Sequence, residues 1–369
     1  MATGGPRAIT SLLAGRSVFQ GVSLQDTMDA LAVPGTLVLP ETDGSVRCVA
    51  CGHRCLLRPG RRGVCKVRWN KGGTLMVPSG YVAALQSDPI EKKPFYHVLP
   101  GQDCLTFGML GCDYHCGYCQ NWLTTQALRD PTAGVEPARI EANALVAMAL
   151  ARGARVVGSS YNEPLITAEW AVDVFRRAKA AGLITAFISN GNATAEVLDF
   201  IRPHTDCYKI DLKAMRDVTY RRLGGVLQRV LDTMRMVHER GFWQEVVTLV
   251  VPGFNDDPGD LARAAAAIAA VSPDIPWHVT AFHPDYQMQE APGTTAEALV
   301  RGCEIGHNAG LRYVYAGNLP GAVGRWENTW CPTCAGLLVE RLGYRVRRHR
   351  VTAQGTCPDC ATRIPGIWC

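Results

Sequence analysis

The chain has 369 residues, 47% hydrophobic and 19% charged, with a net charge of +5. That length holds one barrel-sized domain plus small appendages, and the composition is that of a foldable globule. The modest charge gives no mandate for nucleic acid, and no apolar run reaches the roughly eighteen residues that a membrane span requires.

The first twenty residues carry too weak an apolar stretch for a secretory signal. Fifteen cysteines are unusual. Eleven of them fall in three tight groups, which is metal-site spacing rather than a disulfide framework and points to a reducing, cytoplasmic setting. Cys104 neighbours the middle group. Cys207, Cys303 and Cys369 stand alone and read as small buried hydrophobes.

Residues 1–46 form an N-terminal extension, in which residues 24–33 allow one or two amphipathic helical turns. Residues 47–101 open with Cys48, Cys51, Cys55 and Cys65, spaced C-x2-C-x3-C-x9-C around His53. Four thiolates there close either a structural zinc site or an auxiliary iron–sulfur cluster. Short strands and loops follow.

From 102 to 325 the pattern alternates between strand and helix. Strands are expected at 104–110, 155–164, 183–192, 206–213, 243–253, 276–284 and 311–318. Helices are expected at 140–153, 167–182, 194–201, 257–271 and 296–310, with more helix after 213. Repeated strand-then-helix units imply an α/β fold with a parallel sheet. Six or seven of them fit a partial or near-complete parallel (β/α) barrel, with the Cys-rich module before it and a metal-binding tail after it. In that tail, residues 326–369, Cys331-Pro-Thr-Cys334 and Cys357-Pro-Asp-Cys360 resemble a zinc ribbon or rubredoxin-like site, with zinc favoured over iron. The basic hairpin between them, RLGYRVRRHR (341–350), is most simply a solvated face.

The chemistry concentrates at strand ends, where barrel enzymes build their sites. Cys112, Cys116 and Cys119 lie in GCDYHCGYCQNW, spaced C-x3-C-x2-C. A four-iron cluster normally takes four thiolates, so three leave one iron open to an outside ligand. Three zinc ligands or plain buried thiols are the simpler alternative.

The second strand ends in Tyr161, Asn162, Glu163 and Pro164. The third ends in Ser189, Asn190, Gly191 and Asn192, which suit either a cofactor's polar groups or the cap of the next helix. The fourth ends in Asp211, Leu212 and Lys213, able to hold hydroxyl groups of a ligand or substrate backbone, or to form a structural ion pair. The fifth ends in VVPGFND, where Pro252 and Gly253 admit close backbone approach to a ligand. The sixth carries His278 and His283, each either a cofactor contact or a satisfied core histidine. No phosphate-binding glycine loop is present.

Taken in order, the N-terminal Cys module, DPIEKKPFYHVLPG, GCDYHCGYCQNW, YNEP, IDLK, VVPGFND, PWHVTAFHPDYQM, YVYAGN and the CPTC/CPDC tail resemble the radical S-adenosylmethionine (radical SAM) enzymes of the AmmeMemoRadiSam system, relatives of the pyruvate formate-lyase activating enzymes. The resemblance runs from about residue 46 to the C-terminus. One departure is Leu223-Gly224-Gly225, where the family commonly carries a Cys-containing CGG.

The resemblance implies a [4Fe–4S] cluster on Cys112, Cys116 and Cys119, with the aromatic Tyr118 beside the last ligand. SAM would chelate the open iron, and Glu163 of YNEP, the counterpart of a GGEP motif, would meet its ammonium. Asn190, Asp211, Lys213, His278 and His283 are the further candidate contacts to SAM. The implied reaction is reductive cleavage of SAM to methionine and a 5′-deoxyadenosyl radical. That radical abstracts hydrogen from an unidentified substrate, which could be a protein, and flavodoxin or ferredoxin supplies the electron. The competing expectation is a zinc-rich interaction or nucleic-acid-binding protein. It leaves Glu163, Asp211 and the barrel-like repeat without a purpose.

Overall fold

The computed structural model describes residues 23–369. The weak apolar stretch at the N-terminus lies outside the described residues. Eight strands carry the architecture: β1 (Ala84–Pro89), β2 (Asp103–Gly108), β3 (Val156–Ser159), β4 (Ile184–Ser189), β5 (Cys207–Asp211), β6 (Trp243–Val250), β7 (Trp277–Ala281) and β8 (Val314–Gly317). They form one sheet in the order β8-β7-β6-β5-β4-β3-β2-β1. The pairs β2–β3, β3–β4, β5–β6, β6–β7 and β7–β8 are parallel. This is the expected α/β fold, with a mostly parallel sheet of partial-barrel type.

The helices fall between the strands as the alternation requires: α1 (Ala142–Ala151), α2 (Ala168–Ala180), α3 (Ala195–Ile201), α4 (Asp217–Arg222), α5 (Leu227–Glu239), α6 (Pro258–Val271) and α7 (Ala296–Asn308). α2 shows why. Ala168, Trp170, Ala171, Val174, Phe175 and Ala178 are buried at helical spacing, and Arg177 and Lys179 occupy its last turn, where cations suit the helix dipole. It stops just before Gly182, whose φ of 76° is the left-handed conformation that helix ends use. Asp257 caps α6 by accepting from the Asp260 N–H at 3.1 Å, with Pro258 at the first helical position. β6 is buried along nearly its whole length, as a strand covered on both faces must be.

The chain divides into two units, one of residues up to 88, 103–115 and 119–206, the other of 89–102, 116–118 and 207–369. In the first, Phe107 and Phe187 each meet Phe175 edge to face, with centroids 6.1 and 5.9 Å apart. A two-turn helix, Leu24–Ala30, is capped by Ser23. Cys48 closes the strand Val46–Cys48, which sits between Val38–Pro40 and Leu56–Leu57 in a small antiparallel sheet.

In the second unit, β9 (Thr329–Trp330), β10 (Leu337–Leu342) and β11 (Arg345–His349) make a three-stranded antiparallel sheet. Leu338, Val339, Val351, Ile364 and Trp368 cluster there with Tyr96, Tyr313 and Tyr315. The Ile367 N–H donates to the His97 carbonyl (2.8 Å) and the Leu99 N–H to the Ile367 carbonyl (2.7 Å).

Most of the basic hairpin is a solvated face, but Arg341 is not. Strand alternation turns it inward, where its guanidinium lies 4.2 Å over the Tyr96 ring and donates to the Tyr96 carbonyl (2.7 Å) and Thr329 Oγ1 (2.9 Å). No helix among the described residues is long and apolar enough to cross a membrane.

Candidate active site

Beyond β3 the chain crosses close over the end of β2. A Cβ at Gly108 would lie 2.5 Å from the Ser160 carbonyl oxygen and 2.7 Å from Tyr161 Cβ, so the crossing requires glycine. Tyr161 takes a φ of 68°, an unfavourable conformation for a bulky residue, held here by the loop around it. Asn162 Oδ1 accepts from the Met109 N–H at 2.9 Å and ties the two exits together.

The turn delivers Glu163 into a buried position, 3% exposed. Its carboxylate accepts from Ser189 Oγ (2.7 Å), the Asn190 N–H (2.7 Å) and the Leu165 N–H (3.1 Å). Asp113, the residue after Cys112, is equally buried and accepts from Asn190 Nδ2 (2.7 Å) and Asn192 Nδ2 (2.8 Å). Asn190 therefore serves two acids at once, its N–H to one and its side chain to the other. Burial, and then the charge of Asp113, push the Glu163 carboxyl up to about 8. Among the described residues Glu163 has no ion pair. A buried acid held by neutral donors beside a second acid can receive a cation.

In the other unit, alternation along β5 and its exit places Lys209, Asp211 and Lys213 on one side. Lys209 Nζ and Lys213 Nζ both pair with Asp211, the latter at 3.3 Å. Burial would raise the Asp211 carboxyl, but Lys209 and then Lys213 hold it below the usual range. The exit of β6 supports this loop, because Asn255 Nδ2 donates to the Lys213 carbonyl at 2.7 Å. Phe254 from the same exit packs edge-on against Tyr118, with centroids 5.3 Å apart. Tyr118 is buried, 4% exposed.

The two candidate histidines lie on β7 and just beyond it. His278 lies one residue into β7, at the start of its strand, with Nε2 2.6 Å from Glu245 Oε2. Glu245 also accepts from the Tyr96 N–H (3.0 Å), the His97 N–H (2.9 Å) and Trp243 Nε1 (3.0 Å). Burial keeps His278 neutral. Against its own burial, Glu245 stays below the usual carboxylate range through its hydrogen bond to His278. His283 lies beyond the end of β7, exposed, with Nδ1 3.2 Å from the Pro284 carbonyl oxygen.

Among the clustered cysteines, Cys112 Sγ accepts from the Tyr114 N–H at 3.4 Å, and Cys119 Sγ lies 3.3 Å from Thr125 Oγ1. The Arg129 guanidinium donates to the Cys112 carbonyl at 2.6 Å and fixes the start of the loop. Three soft donors in eight residues, with a buried acid directly after the first, fit an iron–sulfur cluster with one open position. At the tail, the sulfurs of Cys331, Cys334, Cys357 and Cys360 all lie within 4.8 Å of one another and can hold a metal ion. Two matching knuckles bring them there, each with a left-handed alanine after its second cysteine: Ala335 (φ 56°) and Ala361 (φ 60°). The four N-terminal cysteines are not gathered so tightly among the described residues.

Asp113, Lys209 and Arg68 were not singled out in the sequence. The first two had signals available: an acid directly beside a cluster cysteine, and the Lys-x-Asp-x-Lys alternation across a strand end.

The family model of the radical SAM superfamily matches residues 107–265. An uncharacterised protein of Methanocaldococcus jannaschii, MJ0808, is 34% identical over 327 residues, covering 87% of this chain and 96% of that protein. The pyruvate formate-lyase 1-activating enzyme of Escherichia coli K12 is 30% identical over 167 residues, covering 44% of this chain and 67% of that enzyme. A crystal structure of a radical SAM methyltransferase from Sphaerobacter thermophilus aligns with a TM-score of 0.45 at 15% identity, covering 83% of this chain and 81% of that one. Membership of the family implies a [4Fe–4S] cluster and SAM, and the relation to an activating enzyme implies a reductant. The chain is an enzyme of the radical SAM superfamily, distantly related to the pyruvate formate-lyase activating enzymes.

Proposed function

We propose that this enzyme cleaves SAM reductively to act on a protein substrate, as an activating enzyme of the AmmeMemoRadiSam type. The observation that carries this reading is the Glu163–Asp113 pair, two buried acids bridged by Asn190 with only neutral donors on Glu163. Cys112, Cys116 and Cys119 would hold the [4Fe–4S] cluster. Once bound and reduced by a donor such as flavodoxin or ferredoxin, cluster and SAM supply the one-electron chemistry that lets the enzyme take a hydrogen atom from its substrate.

The chain's own residues bind and orient. Glu163 would hold the ammonium of SAM as a carboxylate, its proton released to solvent when that cation binds. Asn190 keeps the carboxylate aimed by donating to it from the backbone. Asp211 and Lys213 would meet ribose hydroxyls or substrate backbone. Tyr118, buried against Phe254, keeps water from the loop. Neither His278, already bound to Glu245, nor the exposed His283 has a part in this reading.

The four-part organisation of residues 1–46, 47–101, 102–325 and 326–369 belongs to the same proposal, as does a reducing compartment. A tetrahedral metal at the tail, for which zinc is proposed, is supported by sulfur separations of 3.5 Å for Cys331–Cys360 and 3.7 Å for Cys334–Cys357. Tetrahedral zinc with bonds of ~2.3 Å sets its sulfurs about 3.8 Å apart.

The test is anaerobic reconstitution with iron counting and a SAM-cleavage assay. Cys116→Ala is expected to lose both cluster and cleavage. Glu163→Gln is expected to keep the cluster and lose SAM affinity. Cleavage retained by Cys116→Ala, or full SAM affinity in Glu163→Gln, would overturn the assignment.

A further inference from the structure

We propose that Cys48, Cys51, Cys55 and Cys65 form a zinc-binding four-thiolate centre that braces the 112–119 loop through His53 and Asp113.

The Cys48 sulfur is placed as an acceptor. Arg68 Nε donates to Cys48 Sγ at 3.2 Å. A neutral thiol is a weak acceptor, so a guanidinium N–H held on this sulfur suits the supporting shell of a metal-bound thiolate. Arg68 is itself 1% exposed and rigidly held. Its Nη1 and Nη2 donate to Glu169 at 2.7 and 2.8 Å, and Nη1 also to the Ile166 carbonyl at 3.1 Å.

The backbone is folded to match. The Cys48 N–H donates to the Cys55 carbonyl and the Arg54 N–H to the Cys51 carbonyl, both at 3.0 Å, and Arg54 takes the left-handed φ of 46° that a tight knuckle needs. A Cβ placed on Gly63 would lie 3.5 Å from Cys55 Sγ and 3.7 Å from Cys65 Sγ, so both sulfurs face the same small space. Cys48, Cys51 and Cys65 are buried. A closed set of four thiolates with a C-x2-C knuckle suits structural zinc, which would displace the thiol protons to solvent as it binds.

The knuckle is also tied to the active-site side of its unit. The Gly52 N–H donates to the Asn192 carbonyl at 2.7 Å, and Thr194 Oγ1 to the Val49 carbonyl at 2.5 Å. His53 meets Tyr114 edge-on at 6.4 Å and brings Nε2 to 4.0 Å from Asp113 Oδ2. Asn192 is held twice, its carbonyl by the knuckle and its side chain by Asp113. Whatever fixes residues 51–55 therefore fixes Asp113, and with it the residue before it, Cys112.

The bracing role rests on the proposed function, whereas the zinc site does not, and the test separates them. In a chain carrying Cys112→Ala, Cys116→Ala and Cys119→Ala, zinc counting should find two ions per chain. Adding Cys55→Ser should leave one, and adding Cys334→Ser instead should also leave one. A count that Cys55→Ser does not change overturns the proposal. Should Cys55→Ser fold poorly, the parent carrying Cys334→Ser and Cys360→Ser keeps the N-terminal module intact. X-ray absorption should then show zinc with four sulfurs at ~2.3 Å, and iron, or a nitrogen from His53, overturns it.

In the chain with Cys112, Cys116 and Cys119 intact, Cys55→Ser should cut iron uptake on reconstitution several-fold, while Cys334→Ser leaves it unchanged. Equal uptake in the two overturns the brace. A parent that takes up no iron sinks the proposed function and leaves the zinc count standing.

Discussion

Glu163 and Glu245 are both buried glutamates, and their surroundings drive them in opposite directions. Glu245 accepts from a histidine, an indole and two backbone N–H groups, and stays ionised below the usual range. Glu163 accepts from a hydroxyl and two N–H groups, faces a second acid, and is pushed up to about 8. The difference separates a completed structural site from the one proposed to take a ligand. Burial alone marks neither, and the decisive quantity is whether donors and charge complete the carboxylate.

The harshest way to break this contrast is Glu245→Ala. It strands His278, the Trp243 indole and two N–H groups in the interior. A destabilisation of about 3–5 kcal/mol is expected in denaturant titration. A loss under about 1 kcal/mol would show that Glu245 is not the keystone described.

Glu163→Gln should change stability far less. It should nevertheless weaken SAM binding at least about tenfold, or ~1.4 kcal/mol, in equilibrium dialysis of the reconstituted enzyme. A variant that binds SAM normally would put Glu163 in the same class as Glu245.

The pH dependence sharpens the contrast further. Glu163 has a folded value above its ordinary 4.5, so between about 4.5 and 8 the folded chain binds more protons than the unfolded one, and stability falls as pH rises. His97 is held at about 4 by burial, so its contribution is present above 6.5 and is lost as pH falls toward 4. Glu245, also held low, loses its contribution on the same acid side. Denaturation midpoints across this range should show Glu163→Gln removing the decline toward alkaline pH while leaving the acid limb in place. An unchanged alkaline slope would mean that Glu163 is already ionised. The smallest effect belongs to the solvated hairpin, where Arg347→Ala should shift stability by no more than about 0.5 kcal/mol.

Much of this was legible in the sequence. Helical stripes and strand-end polar residues located the sheet, the cysteine spacings and Glu163, because these are local patterns. What was hidden depends on distant partners. Glu245 reads as an odd acid inside an apolar strand until residues 96 and 97, about 150 positions earlier, supply its donors. Arg68 looks like one basic residue among many until Glu169 and Cys48 claim it. His278 was placed on the right strand, but periodicity does not say which end of a strand meets the site. The strand stops at Ala281, leaving His278 at its start and His283 beyond its end. Arg341 was hidden in a basic run from which one alternating position turns inward.

The pairing of residue 367 with the 97–99 segment has a consequence for how the molecule is made. The His97 ring reaches the Pro365 carbonyl, 268 positions later, at 2.7 Å. During vectorial synthesis, residues 96–99 leave the ribosome long before that partner exists. At the ~5–20 residues per second of translation, this layer waits tens of seconds for its cover. Its aromatic side chains are then exposed to chaperones or to neighbouring chains, so a slow codon run late in the message would lengthen this vulnerable interval.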